Sequence, residues 1–183
     1  KIQSLSVYKQ FTDKWGQGCG SPLCSKANKI VLAKGKVPCD ILLTGEGPGE
    51  SENVIGVPFC GPAGMLLEYD IIRKALPGKY VTVEVPGGKS KREWYCDYRL
   101  AWANLVCCIP RDEDGAKTIE PSNDDIESCK PRLEEFIDIA QPKLIVCVGK
   151  LASSWFEQGF SHSVTIPDGT ELCEIVHPAA ILR

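Results

Sequence analysis

Residues 45–67 read GEGPGESENVIGVPFCGPAGMLL, and glycine and proline are too dense in this stretch for either a helix or a strand. Residues 39–44, immediately before it, form a short apolar run with the length of a buried strand. From Met65 to Leu76, apolar residues recur at helical spacing. The stretch therefore predicts a strand, a structured loop and a helix, and open α/β sheets bind ligands at such loops.

The loop by itself does not identify a ligand. Gly45, Gly47 and Gly49 stand at alternate positions, so the dinucleotide pattern G-x-G-x-x-G is absent, and so is the phosphate-binding Gly-Lys-Ser/Thr. A loop that is rich in glycine only because it turns sharply is an equally good interpretation of these residues alone.

Strand-like and helix-like segments alternate along the rest of the chain. Apolar runs of strand length occur at residues 100–106, 143–149 and 172–176. Ser122, with Asp125 three positions later, marks the start of a helix. This alternation predicts an α/β fold with three layers, α/β/α, around a mostly parallel central sheet. We expect a single domain, residues 1–183, with a hairpin insertion at residues 77–97.

Length and charge limit the possible functions. The chain has 183 residues, enough for one domain with an apolar core. Its formal net charge of −3 does not favour a nucleic-acid-binding protein, which usually shows a basic face. The basic residues that could still form local patches are Lys89, Lys91 and Arg92 in one place, and Arg111, Lys130 and Arg132 in another.

The sequence contains no membrane-spanning run and no signal peptide. We therefore expect an intracellular, monomeric protein that does not associate with membranes, located in the cytoplasm, at the nucleoid or in a virus-infected cell. Because the chain begins with Lys1 rather than Met, we also expect it to be a piece of a longer protein.

Ten cysteines require an explanation. A disulfide framework is typical of small secreted chains, whereas this chain is long and apolar enough to form a core without one. Residues 18–24 place Cys19 and Cys24 in a turn-rich loop, which is how many metal or cluster sites begin. From the residues alone, a four-thiolate zinc site is the favoured interpretation.

Three polar residues follow predicted strands directly: Glu46, Asn104 and His177. The carboxyl ends of parallel strands meet at one edge of a sheet, so these side chains are expected to converge. An acid, an amide and an imidazole together are sufficient for hydrolysis combined with recognition of a base, although each residue alone also fits a structural role.

Taken together, the segments resemble the family 4 uracil-DNA glycosylases. GEGPGESE followed by G-x-PF-x-G-x-AG-x-LL matches motif 1 of that family without a gap. The run of residues 104–110, the strand at residues 139–149 and the closing His-Pro segment at residues 176–183 match further motifs in the same order. The departures are Asn53 in place of an acidic residue and Cys60 in place of a small aliphatic one.

The resemblance implies a DNA N-glycosylase that flips deoxyuridine out of the stack and hydrolyses its N-glycosidic bond in base excision repair. His177 would donate a hydrogen bond to uracil O2, and Glu46 would position the attacking water. The better-known relatives carry a catalytic Asp where Gly47 stands. The loop at residues 111–122 contains no histidine that could form a covalent bond to DNA, so a monofunctional enzyme is expected.

The resemblance also implies the residues that hold the substrate. Phe59 would stack on the flipped base, Asn104 would read its Watson–Crick edge, and Glu52 would exclude the methyl group of thymine. The other expected contacts are Gly45 and Gly47 with the base, and Pro178, Leu182 and Arg183 with the DNA. The partner is uracil-containing DNA, single- or double-stranded.

The family carries a [4Fe–4S] cluster on four cysteines. By position these would be Cys19, Cys24, Cys108 and Cys129, with zinc as the alternative occupant and Cys107 as a neighbouring competitor of Cys108. The spacing of the first pair and the length of the loop at residues 111–120 both exceed the usual pattern. An alternative function is a catalytically weak or inactive DNA-binding module of the same fold within a replication protein.

Overall fold

The computed structural model describes residues 2–86, 89–157 and 163–182. The strands are β1 (Ala33–Gly35), β2 (Ile41–Gly45), β3 (Gly78–Val85), β4 (Lys89–Cys96), β5 (Leu100–Asn104), β6 (Leu144–Val148) and β7 (Glu171–Ile175). The helices are α1 (Ile2–Trp15), α2 (Leu23–Lys26), α3 (Glu50–Ile55), α4 (Pro62–Leu66), α5 (Arg73–Ala75), α6 (Asn123–Ala140) and α7 (Lys150–Phe156). A π-helical stretch (Leu67–Ile72) joins α4 to α5, and a 3₁₀ turn (Pro178–Ala180) follows β7.

The central sheet has the strand order β1-β5-β2-β6-β7. Strands β5, β2, β6 and β7 are parallel, and β1 is an antiparallel edge strand. The chain leaves β2 for β5 on one side and later returns to β6 on the other, so the strand order reverses at the carboxyl end of β2. Open α/β sheets bind ligands at such a reversal, and here it coincides with Gly45 and the loop that follows.

Two apolar clusters cover the two faces of the sheet, because successive side chains of a strand point to opposite faces. In β2, Leu42 packs on one side with Phe136 of α6 and Phe156 of α7. Leu43 packs on the other side with Leu67 of the π-helical stretch. These layers confirm the predicted three-layer α/β fold with a mostly parallel sheet.

Strands β3 and β4 form a separate antiparallel pair at the predicted hairpin, although residues 87–88 lie outside the described residues. Helix α6 begins as predicted, because Ser122 Oγ accepts a hydrogen bond from the N–H of Asp125 (3.2 Å) and Asp125 accepts one from the N–H of Ser122 (3.3 Å). Of the helices within residues 2–157 and 163–182, none combines the length and apolarity needed to cross a membrane.

Candidate active site and thiol centre

A cleft of about 760 Å³ opens at the carboxyl ends of the parallel strands, within the size range of small-molecule sites. Three segments form its walls: the loop and helices after β2, residues 110–121, and the turn after β7. The lining includes all three residues expected at the strand ends, Glu46, Asn104 and His177. The predicted convergence at one edge of the sheet is therefore present.

Glu46 and His177 approach each other across Gly149, the residue that follows β6. A Cβ atom at position 149 would lie 2.7 Å from Oε1 of Glu46 and 3.3 Å from Cβ and Cδ2 of His177. Position 149 has a φ of 100°, so glycine is favoured there by conformation as well as by space. The absence of a side chain at this point brings the carboxylate and the imidazole into one part of the cleft.

The orientation of His177 is fixed by the turn that follows it. Its Nδ1 accepts a hydrogen bond from the backbone N–H of Ala179 (3.2 Å), and Pro178 begins the 3₁₀ turn that places this N–H. In a neutral imidazole whose Nδ1 is the acceptor, the proton is on Nε2, which is then a donor. The imidazole can therefore donate a hydrogen bond while it remains uncharged.

The carboxyl group of Glu46 is half-buried, and burial together with the negative charge of Glu120 raises its pKa above the ordinary value. Glu120 lies across the cleft, on the loop between β5 and α6. Glu46 thus resembles other carboxyl groups that act as bases, whose pKa is shifted towards the working pH.

Asn104 and Phe59 are close together against Gly45. In the sheet, Gly45 is directly opposite Asn104. A Cβ atom at position 45 would lie 2.6 Å from Oδ1 of Asn104 and 2.8 Å from Cζ of Phe59, so only glycine leaves room for both side chains. The Phe59 ring is also supported by Trp102, with 5.4 Å between ring centroids.

Asn104 is 3% exposed and ends β5. Its backbone C=O accepts a hydrogen bond from Arg132, but no described residue forms a hydrogen bond with its side-chain amide. The amide lines the cleft and is not among the enclosed polar groups without a partner, so its donors and its acceptor can be reached from the cleft. The cleft therefore contains an amide that is placed to bind a ligand.

Glu52 is buried, and both of its oxygens are engaged by the loop itself. Oε1 accepts a hydrogen bond from the N–H of Gly61 (2.7 Å) and Oε2 from the N–H of Gly49 (3.1 Å). The carboxylate fixes the wall of the cleft to the start of α3. Gly47 also belongs to this wall. A Cβ atom at this position would lie 2.9 Å from Val106 Cγ2, which is too close for a side chain without a shift of Val106.

Sequence reasoning missed the part of the cleft formed by residues 110–121. This loop is clamped to the start of α3, because Arg111 donates two hydrogen bonds to the carboxylate of Glu50 (2.9 and 2.7 Å) and Thr118 donates a third (3.1 Å). Only the length of the segment between β5 and α6 could have pointed to it.

Two of the three expected DNA-contacting residues, Pro178 and Leu182, lie within the described part of the chain. Pro178 is buried and lines the cleft, whereas Leu182 is 54% exposed. Val176 and Ile181 are exposed apolar residues beside it, at 68% and 61%. Arg183 lies outside the described residues.

A second site is formed by cysteines from three segments of the chain. The sulfurs form a closed ring in the order Cys19, Cys24, Cys108, Cys107 and Cys129, with neighbouring distances of 3.7, 3.0, 3.9, 3.4 and, back to Cys19, 2.7 Å. All four expected ligands are in this ring, and Cys107 belongs to both groups of three thiols that are close enough to bind one metal ion. All ten cysteines are free thiols.

The donor set fits a thiolate-bound metal. Zinc with four sulfur ligands at about 2.3 Å would place the sulfurs roughly 3.8 Å apart, close to several of the observed distances. The neighbouring thiols of Cys107 and Cys19 lower the pKa of Cys129, and the backbone N–H of Cys107 donates a hydrogen bond to its sulfur (3.3 Å). The ring can therefore hold a metal.

One expected basic patch does not form. Arg132 is fully buried and Arg111 is paired with Glu50, so neither belongs to a solvated cationic surface. The sequence pattern was misleading here because Arg132 lies on the same face of α6 as the buried Cys129 and Phe136, which are three and four positions away.

The fold and the cleft agree with comparison to known families. The model of the uracil DNA glycosylase superfamily matches residues 33–183, which include every strand of the sheet, and the chain belongs to this superfamily. Among individual proteins, the chain is 28% identical to the type-4 uracil-DNA glycosylase of Thermotoga maritima over 88% of this chain and 76% of that protein.

Two further relatives carry the same description. The chain is 26% identical to the type-4 uracil-DNA glycosylase of Pyrobaculum aerophilum, over 88% of this chain and 78% of that protein. It is 30% identical to that of Saccharolobus solfataricus, over 72% of this chain and 53% of that protein. The resemblance stated from the motifs is confirmed.

Proposed function

We propose that this protein is a monofunctional uracil-DNA glycosylase that hydrolyses the N-glycosidic bond of flipped-out deoxyuridine. The observation that carries the proposal is the placement of His177, whose Nδ1 accepts a hydrogen bond from Ala179 and whose Nε2 is thereby a neutral donor. Similarity to three type-4 uracil-DNA glycosylases supports the same reaction.

The base would bind between Phe59 and Asn104. The Phe59 ring, backed by Trp102, offers an aromatic face on which a flipped pyrimidine stacks. The Asn104 amide offers a donor for uracil O4 and an acceptor for N3–H, a pattern that cytosine does not match. Gly45 and Gly47 keep this part of the cleft open, and Glu52 holds the wall that would meet a methyl group at C5.

The leaving base would depart as an anion while positive charge develops on the sugar. His177 would donate from Nε2 to uracil O2, and a preorganised donor to developing negative charge typically contributes about 10²–10³-fold. The carboxylate of Glu46, close to His177, would position the water that attacks C1′ and accept its proton.

The DNA would contact Pro178, which lines the cleft, and the exposed Leu182; Arg183, the third expected contact, lies outside the described residues. Val176, Ile181 and Leu182 are exposed apolar side chains, and such side chains can fill the gap that a flipped nucleotide leaves in the stack.

The thiol ring would hold the family's [4Fe–4S] cluster through Cys19, Cys24, Cys108 and Cys129, with zinc as the alternative. Its role would be structural, because it joins the segment after α1 to the end of β5 and to α6. A broad visible absorption band in anaerobically purified protein would identify the cluster, and a colourless protein with bound zinc would identify the alternative.

The test is single-turnover excision from a uracil-containing oligonucleotide, read by alkaline cleavage, for the wild type and for His177→Ala. We expect cleavage at uracil and not at thymine in the same position. The rate in the variant should fall about 10²–10³-fold, with thermal unfolding unchanged.

No cleavage by folded, metal-loaded wild-type protein would refute the proposal and favour the DNA-binding module. If His177→Ala cleaves at the wild-type rate, the protein is still a uracil-DNA glycosylase, but His177 does not contribute to the reaction.

A further inference from the structure

Arg132 is the largest fully buried side chain among the described residues, with 0% exposure. It lies one helical turn after Cys129 on α6. Nη2 donates hydrogen bonds to the backbone C=O of Asn104 (2.7 Å) and of Leu105 (2.8 Å). Nε and Nη1 are buried and have no hydrogen-bond partner in the described part of the chain. A permanent positive charge is thus enclosed in the core.

No carboxylate of residues 2–86, 89–157 or 163–182 forms a salt bridge with this guanidinium, although Lys130 two positions earlier pairs with Glu127 at 3.1 Å. Enclosing an ion in the core without a countercharge is strongly unfavourable. Two backbone carbonyls supply hydrogen bonds but no net charge. A negative group is therefore required next to Arg132.

The thiol ring is the group that meets this requirement. Arg132 follows Cys129 by one helical turn on α6, and its Nη2 binds the backbone C=O of Leu105, two positions before Cys107, so the guanidinium lies between two of the segments that carry the thiols. Four thiolates around Zn²⁺, or around an oxidised [4Fe–4S] core of charge 2+, leave a net charge of about 2−. Neutral thiols would leave Arg132 unpaired.

We propose that Arg132 is the counter-ion of the metal-loaded thiol centre. This rests on the proposal that the thiols hold a metal and is independent of the reaction in the cleft. The metal and Arg132 then stabilise the fold jointly: with the metal, the buried cation is compensated, and without it the cation is left unpaired in the core. Through Nη2, the same guanidinium fixes the end of β5 that carries Asn104.

The test compares Arg132→Gln, Arg132→Met and the control Lys130→Met. Gln keeps a donor for the carbonyls but carries no charge, and Lys130→Met removes one positive charge from the same helix at a site paired with Glu127. Each protein is unfolded thermally in its metal-loaded form and again after anaerobic refolding in chelator.

We expect metal removal to lower the Tm of the wild type and of Lys130→Met equally. In the two Arg132 variants, the difference in Tm between metal-loaded and metal-free protein should be smaller than in the wild type by roughly 5–15 °C. A variant that refolds without metal when the wild type cannot would support the proposal in the same way. Equal losses in the wild type and in both Arg132 variants would overturn it.

A second measurement applies to the iron–sulfur form. Removal of a nearby positive charge disfavours the added electron, so the reduction potential of the cluster should become more negative in Arg132→Gln and stay unchanged in Lys130→Met. An unchanged potential in Arg132→Gln would overturn the proposal. Neither measurement uses DNA, so a protein without glycosylase activity could still confirm the counter-ion.

Discussion

The cleft and the thiol centre both include residues of one short segment, 104–108, but they differ in whether their polar groups have partners within the protein. In the cleft, the side-chain amide of Asn104 faces the cavity and forms no hydrogen bond with any described residue. In the centre, every one of the five sulfurs lies within 4 Å of two others, and a buried cation accompanies them.

This difference separates the two roles. A site for a ligand that binds reversibly keeps its hydrogen-bond donors and acceptors available, and the protein stays folded without the ligand. A site for a permanent metal brings together thiolates and a buried cation that are stable side by side only when the metal is bound. The free energy of metal binding therefore contributes directly to the free energy of folding. Changes in the centre should therefore affect stability first, and changes in the cleft should affect activity alone.

The largest effect is expected from Cys129→Ser, which removes a buried thiol that belongs to the ring and to one of its metal-capable groups. Structural zinc sites supply about 10 kcal/mol or more of apparent binding free energy. The variant should lose its metal and much of its stability. Metal analysis and thermal unfolding measure both effects.

Cys147→Ser is the matched control, because Cys147 is 1% exposed in β6 and does not belong to either metal-capable group. It should retain the metal and lose only about 1–3 kcal/mol, the cost of burying a hydroxyl group in an apolar place. Similar metal loss in both variants would show that the ring is not the binding site.

A smaller effect, confined to the cleft, is expected from Asn104→Asp. The carboxylate keeps an acceptor but loses the donor that we assign to uracil O4, and a good base contact contributes about 1–3 kcal/mol of discrimination. Excision of uracil should fall roughly 10- to 200-fold, with unchanged metal content and Tm. Single-turnover rates on uracil-containing DNA measure the loss.

Asn53→Asp provides the control for this change. Asn53 is equally buried, but it uses only its Oδ1, which accepts hydrogen bonds from the N–H of Asn28 (2.8 Å) and of Lys29 (3.4 Å). Asp keeps this acceptor, so excision should persist. If both variants lose activity alike, the amide of Asn104 is not the base-reading group.

Much of the sheet could be predicted because its signals are local. Residues 41–45 and 144–148 are short apolar runs, and Ser122 with Asp125 forms the capping box that the sequence indicates. The convergence of Glu46 and His177 followed from the rule that parallel strands present their carboxyl ends at one edge. These inferences required no knowledge of distant contacts.

The sequence could not predict the surroundings of charged residues whose contacts lie far away along the chain. Arg132 looked like a surface residue, because nothing near it in the sequence shows that the end of β5, 27 to 28 positions earlier, covers it and accepts its hydrogen bonds. In the same way, the position of Glu120 opposite Glu46 depends on the clamp between Arg111 and Glu50, which lie far apart in sequence. Both are products of tertiary structure.

The smallest predicted effect concerns Glu120 and the pH dependence of the reaction. Burial and the Glu120 charge raise the pKa of Glu46, so the wild-type rate should rise with pH as Glu46 ionises, through a midpoint above the ordinary value of 4.5. In Glu120→Gln, a neighbouring negative charge is removed, which favours the ionised form and lowers the pKa of Glu46. The acidic limb of the rate profile should then move to lower pH.

Single-turnover rates between pH 4 and pH 8, which is roughly the range in which a perturbed carboxyl group ionises, will show this shift most clearly at the acidic end. Glu113→Gln is the control, because it removes the same charge from the same loop at a position that does not line the cleft. A limb that moves equally in both variants would reflect net charge rather than a local effect. A limb that stays in place in Glu120→Gln, while Glu46→Gln abolishes activity, would mean that burial alone sets the pKa of Glu46.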